Sequence, residues 1–168
     1  MIACLDGSFP PFTNPDLLID TIYKICCSEK TLGIRSKGLL KKNLVKETFV
    51  FAYVNKTLIG WIEREKITAS YGVVSNLYVY PQFRREGVSR GLILKAFEDL
   101  SGTNTLATTS NEGVAKFITE RGFEKIEFSL LPLIVKLKLY LRYLNRHAIQ
   151  NFMKLRKNKF ESYLRRCS

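Results

Sequence analysis

With one histidine and four cysteines, this 168-residue chain has little with which to bind a metal or cross-link itself. Cys4, Cys26, Cys27 and Cys167 show no metal-ligand spacing, and His147 stands alone between Arg146 and Ala148. A zinc site and a disulfide framework are therefore excluded as organising features. No base lies near Cys26 or Cys27 to activate a thiol, so the pair reads as small hydrophobes in a helix, consistent with a reducing, cytoplasmic setting. The start, MIACLDGSFPPF, lacks the basic and long apolar segments of a secretory signal, and no apolar run is long enough to span a bilayer. Repeats and low-complexity linkers are absent. Acids are scarce toward the C-terminus. Residues 132–168 carry ten Lys/Arg against Glu161 alone, so this tail holds +9 of the net +12 and leaves residues 1–131 near neutral at +3. Such asymmetry points to an acidic partner for the tail.

What is present suffices for one core: 46% of residues are hydrophobic and 25% charged. Asn14-Pro15-Asp16 predicts a helix start, with Asn14 as cap and Pro15 at the first position. A second helix is predicted from near Ser36 through Val45. Residues 47–54 and 57–67 read as strands joined at Asn55-Lys56, and 71–80 as a third. Residues 106–110 form a fourth strand after a helix. Asn111 opens a short helix ending at Gly122, and 123–130 alternates as a further strand. The order predicts a mixed α/β sheet, mostly antiparallel, flanked by helices, over residues 1–131.

Chemistry concentrates in SNLYVYPQFRREGVSRGLILKAF, residues 75–97. A strand meets Pro81, passes through Arg84-Arg85-Glu86-Gly87-Val88-Ser89 and enters an amphipathic helix. The first turn of a helix offers unpaired N–H groups and the positive end of a dipole, and glycine permits close approach. With two arginines adjacent, this loop predicts a phosphorylated ligand.

Three segments in this order resemble the GNAT N-acetyltransferase superfamily. Tyr78-Val79-Tyr80-Pro81 followed by Arg84 to Ser89 is similar to its acetyl-CoA loop, Leu58-Ile59-Gly60 to its central strands, and Asn111 through Phe123 to a later family segment. The resemblance implies acetyl transfer from acetyl-CoA to a primary amine by direct attack in a ternary complex. It places the pyrophosphate on Arg84, Arg85, Glu86, Gly87, Val88, Ser89 and Arg90, and the pantetheine arm along Leu77, Tyr78 and Val79. A backbone N–H near Tyr78 or Val79 would polarise the thioester carbonyl, and Asn111 would support the pantetheine or the departing thiol. The chain departs from the family at three positions. Ser89 stands where glycine or alanine is preferred, Ile118 where many members have a tyrosine acid, and residues 72–75 carry no carboxylate base. Glu63 and Glu65, two apart on one strand face, are candidate bases or simply solvent-facing charges. Tyr71 and Tyr78 are candidate acids or packing aromatics.

The tail, 132–168, reads as a basic amphipathic helical extension, with Leu133, Leu137, Leu141, Leu144, Ala148, Phe152 and Leu155 at helical spacing. It has three possible uses: packing on the body or on a second subunit of a homodimer, contacting nucleic acid, or lying on an anionic membrane surface. An acetyltransferase and a catalytically weakened binding protein acting through this tail both fit the sequence.

Overall fold

In the computed structural model of the protein, residues 4–6, 14–143 and 147–167 are described. Asn14 caps α1 (Pro15–Ser28) as expected, its Oδ1 accepting from the Asp16 and Leu17 N–H groups at 2.9 and 3.4 Å. The helix buries Leu18, Ile19, Ile22 and Cys26. Ser36 caps α2 (Lys37–Val45) through the Leu39 N–H. β1 (Cys4–Asp6) precedes both helices, and β2 (Phe49–Val54) and β3 (Thr57–Lys66) follow as a hairpin. Asn55 and Lys56 both take positive φ, 48° and 64°, the twist of a type I′ turn achieved without glycine. Then come β4 (Tyr71–Val79), α3 (Val88–Asp99), β5 (Asn104–Thr109), α4 (Glu112–Thr119), β6 (Glu124–Ile126), α5 (Leu133–Tyr143), α6 (Ala148–Lys157) and β7 (Glu161–Arg165).

The seven strands form one sheet in the order β1-β2-β3-β4-β5-β7-β6. β4 and β5 are the parallel pair; the rest run antiparallel. This is the predicted mixed, mostly antiparallel sheet. Strand alternation sends side chains to two faces. Val50, Ala52, Val74, Ala107 and Tyr163 pack under α3 and α4 with Leu92, Phe97 and Phe117. Phe49, Phe51, Trp61 and Tyr78 pack under α1 and α2. Val73, Leu106 and Leu164 receive Val135 and Leu139 of α5.

The tail departs from its reading as a helical extension. Residues 133–143 and 148–157 are helical, but 161–165 form β7, hydrogen-bonded between β5 and β6 inside the sheet. On α5 the buried residues are Val135 and Leu139, whereas Leu133, Leu137 and Leu141 of the predicted stripe face solvent, as does Phe152 of α6. Leu144 lies outside the described residues. The chain needed only one narrow contact here, and Val135 and Leu139 make it while the longer leucine stripe stays outward. Six of the ten tail cations are taken up by the body. Lys136 and Lys138 donate to the carbonyls of Ser129 and Ile67, and Arg142 to Glu63. Lys154 donates to three carbonyls and Arg166 to Glu124, while Arg165 stacks on Phe97 and Phe123. These contacts anchor the tail to the body, with Arg142 and Arg166 meeting carboxylates. Among the described residues no helix is long and apolar enough to cross a membrane.

Candidate functional site

β4 and β5 start as partners and then separate. Tyr71 to Val74 pair with Asn104 to Ala107, and the ladder stops there. A bulge in β4 diverts the strand. Ser75 faces Glu63 and Tyr78 faces Trp61, so Asn76 and Leu77 together oppose the single residue Ile62. Asn76 pays for this with φ of 50°, and its side chain secures the turn: Oδ1 accepts from the Gly33 N–H at 2.8 Å, and Nδ2 donates to the Gly33 carbonyl and to Glu63. The opening is a cleft of about 540 Å³.

The bulge decides which backbone groups face this cleft. The Tyr80 N–H donates to the Ile59 carbonyl at 3.0 Å, so the next residue back, Val79, turns its N–H and C=O away from β3 and into the cleft. The Val79 carbonyl accepts from Arg84 Nε at 3.0 Å, and its N–H faces the cleft where the sequence predicts a polarising donor near Tyr78 or Val79. Gly60 lets β3 come this close, since a Cβ there would sit 2.7 Å from the Tyr78 carbonyl oxygen.

At the outer end of the cleft, Gly87 caps α3 with φ of 78°, a conformation that favours glycine. The first bond of the helix is Gly91 N–H to the Gly87 carbonyl, so the N–H groups of Val88, Ser89 and Arg90 have no carbonyl one turn back. No side chain caps them, and the first turn holds no acid. Three donors at a positive helix end, facing a cleft, make this the candidate anion site. Arg85 and Arg90 also line it. Arg84 lines the cleft too, its Nε donating to the Val79 carbonyl, whereas the exposed Glu86 lies outside the lining. Ser89→Asp places an anion in the first turn. The helix should gain a few tenths of a kcal/mol from its dipole. Binding of a phosphorylated ligand should weaken by about 1–3 kcal/mol, the repulsion of like charges a few ångströms apart near a surface. Paired thermal melts and ligand titrations would read both effects, and equal affinity in the two proteins would remove α3 as the anion site.

Along the inner wall, Asn111 caps α4 by accepting from the Val114 N–H at 3.0 Å, which leaves its amide NH₂ for the cleft. Ile118 is buried beside it. Tyr78 lines the opposite wall; burial first, then the Glu29 carboxylate, raise its pKa above the ordinary tyrosine value, with Arg84 pulling it partly back. Its hydroxyl is therefore protonated at neutral pH. Tyr71 packs at the far end of β4 with the α5 core. Burial pushes the Cys26 thiol up to about 12, which fits a packing role.

Glu63 and Glu65 lie outside the cleft lining. Glu63 is fully buried and is not a solvent-facing charge. Arg142 Nη2 donates to it at 3.0 Å, Asn76 at 3.1 Å, and Arg35 Nε lies 3.7 Å away. With both oxygens engaged, it ties β3, the bulge, α5 and the segment after α1 together. Arg142 Nε is 3.4 Å from the half-exposed Glu65. The carboxylate that does line the cleft is Glu29, at the end of α1, 4.0 Å from Arg84. Thr31 and Leu32 beside it, and Phe160 from the tail, complete the wall. These were hidden in the sequence because they reach the cleft only through tertiary packing.

The comparisons agree with this geometry. The sequence model of the acetyltransferase (GNAT) family matches residues 19–123. No curated protein matches the sequence. Among solved structures, the fold is similar to N-acetylglutamate synthase from Neisseria gonorrhoeae complexed with coenzyme A and N-acetyl-glutamate, with a TM-score of 0.72 at 15% identity. That match covers 100% of this chain and 36% of the synthase, so the chain spans about a third of that protein. It is also similar to Rv2747 from Mycobacterium tuberculosis in complex with CoA and NLQ, with a TM-score of 0.71 at 12% identity over 98% and 99% of the two chains. The chain belongs to the acetyltransferase (GNAT) family, whose co-substrate is acetyl-CoA.

Proposed function

We propose that the protein is an N-acetyltransferase that moves the acetyl group of acetyl-CoA to a primary amine by direct attack in a ternary complex. The observation that carries this reading is the β4–β5 splay, with the Val79 N–H in its wall and three α3 N–H groups at its outer end. The residues present fit the co-substrate. Val88, Ser89 and Arg90 would hold the pyrophosphate, and Leu77 and Val79 would offer backbone groups to the pantetheine arm. Acetyl-CoA supplies an acetyl thioester, so one C–S bond breaks, one C–N bond forms, the amine gives up a proton and the thiolate takes one.

Within this reading the chain's residues divide the work. The Val79 N–H stabilises negative charge on the carbonyl oxygen. Tyr78, held protonated, donates to the thiolate. Glu29 rather than Glu63 or Glu65 receives the amine's proton, since it is the carboxylate in the cleft. Glu29→Gln and Tyr78→Phe should each lower kcat by roughly 10²-fold, the usual worth of a positioned acid or base. Acetyl-CoA affinity should stay unchanged. Amine-dependent thiol release by the full chain is the test: unaltered kcat in both variants would remove these assignments, and no release with any amine would reject the transferase reading.

A further inference from the structure

Beyond the cleft's inner end lies a second cavity of about 40 Å³, contiguous with it through six shared lining residues: Thr31, Leu32, Ser75, Asn76, Thr108 and Phe160. Ser75 and Thr108 are the first residues past the last β4–β5 pair. Ser75 lies four positions before Val79, across the bulge from the residues that lead into the Arg84-to-Arg90 loop. The small cavity therefore sits at the opposite end of the cleft from the anion site, where an acceptor rather than the co-substrate's phosphates would extend.

The chemistry of this cavity is one-sided. Three hydroxyls line it, from Thr31, Ser75 and Thr108, and among the described residues no carboxylate does. Ser75 Oγ accepts from Arg142 Nη2 at 3.2 Å, which leaves its own O–H to donate. The amides present are already committed: Asn76 to Gly33 and Glu63, and Asn151 to both the N–H and the carbonyl of Ile34. The cation is Lys154, whose Nζ donates to the carbonyls of Cys26, Glu29 and Leu32 and so acts through its field. The neighbouring charges cancel, with Arg35 and Arg142 set against Glu63 and Glu65. Lys154 is the cation that lines the cavity, with the Glu29 carboxylate also in its field. Burial lowers its pKa below the ordinary lysine value, and an anion close by would raise it again. Its volume holds about three water-sized groups, the size of a carboxylate.

We infer that this cavity is the acceptor's carboxylate subsite, and that the acceptor is a free amino acid whose carboxylate accepts from Ser75, Thr31 and Thr108 beside Lys154 while its amine faces the acetyl group. The inference rests on the transferase reading and specifies its substrate class. It also assigns the tail a role, since α6 brings Lys154 and Asn151, and Phe160 follows.

The test is thiol release from acetyl-CoA by the full chain, offered the proteinogenic L-amino acids, their decarboxylated amines, and short peptides with free N-termini. At least one amino acid should be acetylated, with kcat/KM roughly tenfold or more above that of its decarboxylated amine, the worth of a hydrogen bond to a charged group. Ser75→Ala and, separately, Thr108→Val should raise the amino acid's KM by a similar factor and leave acetyl-CoA affinity unchanged. Equal use of the decarboxylated amine, acetylation of peptides alone, or a preference untouched by both substitutions would overturn the subsite while leaving the transferase reading intact. The absence of release with every acceptor would overturn both.

Discussion

Removal of residues 159–168 is expected to abolish cooperative folding. β7 is an interior strand: it pairs with β5 over Thr105 to Thr109 and with β6 over Glu124 to Ile126. Its loss exposes one edge of β5 and leaves β6, three residues long, without its strand partner. Tyr163 and Leu164 lie in two different cores, on opposite faces of the sheet, and each buried side chain is worth about 1.5–3 kcal/mol. Lost ladder bonds and the Arg165 stacking on Phe97 and Phe123 add to this. The total, roughly 5 kcal/mol or more, is comparable with the whole stability of an ordinary domain. Urea titration followed by circular dichroism should show a broad, non-cooperative transition. A sharp transition near that of the full chain, with acetyl-CoA affinity retained, would make the tail an appendage after all.

Substitution of Glu63 should be nearly as costly. Glu63→Leu removes the carboxylate between two buried arginines, Arg35 and Arg142, and leaves their charges facing each other. Breaking a buried ion pair from one side typically costs about 3–5 kcal/mol, because the surviving charge stays desolvated. Glu65, half exposed and 3.4 Å from Arg142, compensates only in part. Pairing Glu63→Leu with Arg142→Leu should recover much of the loss, since the double variant removes one buried charge of each sign. Chemical denaturation of the single and double variants measures this coupling directly. A cost below about 1 kcal/mol for Glu63→Leu would show that the carboxylate is not what holds the cluster. The same pair of proteins separates structure from catalysis: turnover that returns with stability in the double variant marks Glu63 as a positioning residue, whereas turnover lost despite restored stability marks it as the base.

What could be read from the sequence was local. The caps Asn14, Ser36 and Asn111 act within three residues of themselves, and the Arg84-to-Arg90 loop joins neighbouring elements, so their geometry is written in adjacent positions. The Asn55-Lys56 hairpin is equally short-range. β7 was hidden because ESYLR lies in a strongly basic stretch and offers only Tyr163 and Leu164 as buried strand residues; it becomes a strand because β5 and β6 leave a slot for it. The arginine partners of Glu63 are 28 and 79 residues away, so its two-residue spacing from Glu65 suggested a shared face and nothing about burial. Glu29, Thr31 and the small cavity depend on α6 pinning the segment after α1, through Asn151, Lys154 and Asn158. Contacts spanning more than a hundred residues leave no local pattern.

The most direct measurement is a calorimetric titration of the full chain with acetyl-CoA, repeated with Ser89→Asp. Saturable binding at one site, weakened by the substitution in a protein whose melting temperature is preserved, is the expected result. The absence of detectable binding at millimolar acetyl-CoA, with the chain folded, would contradict it.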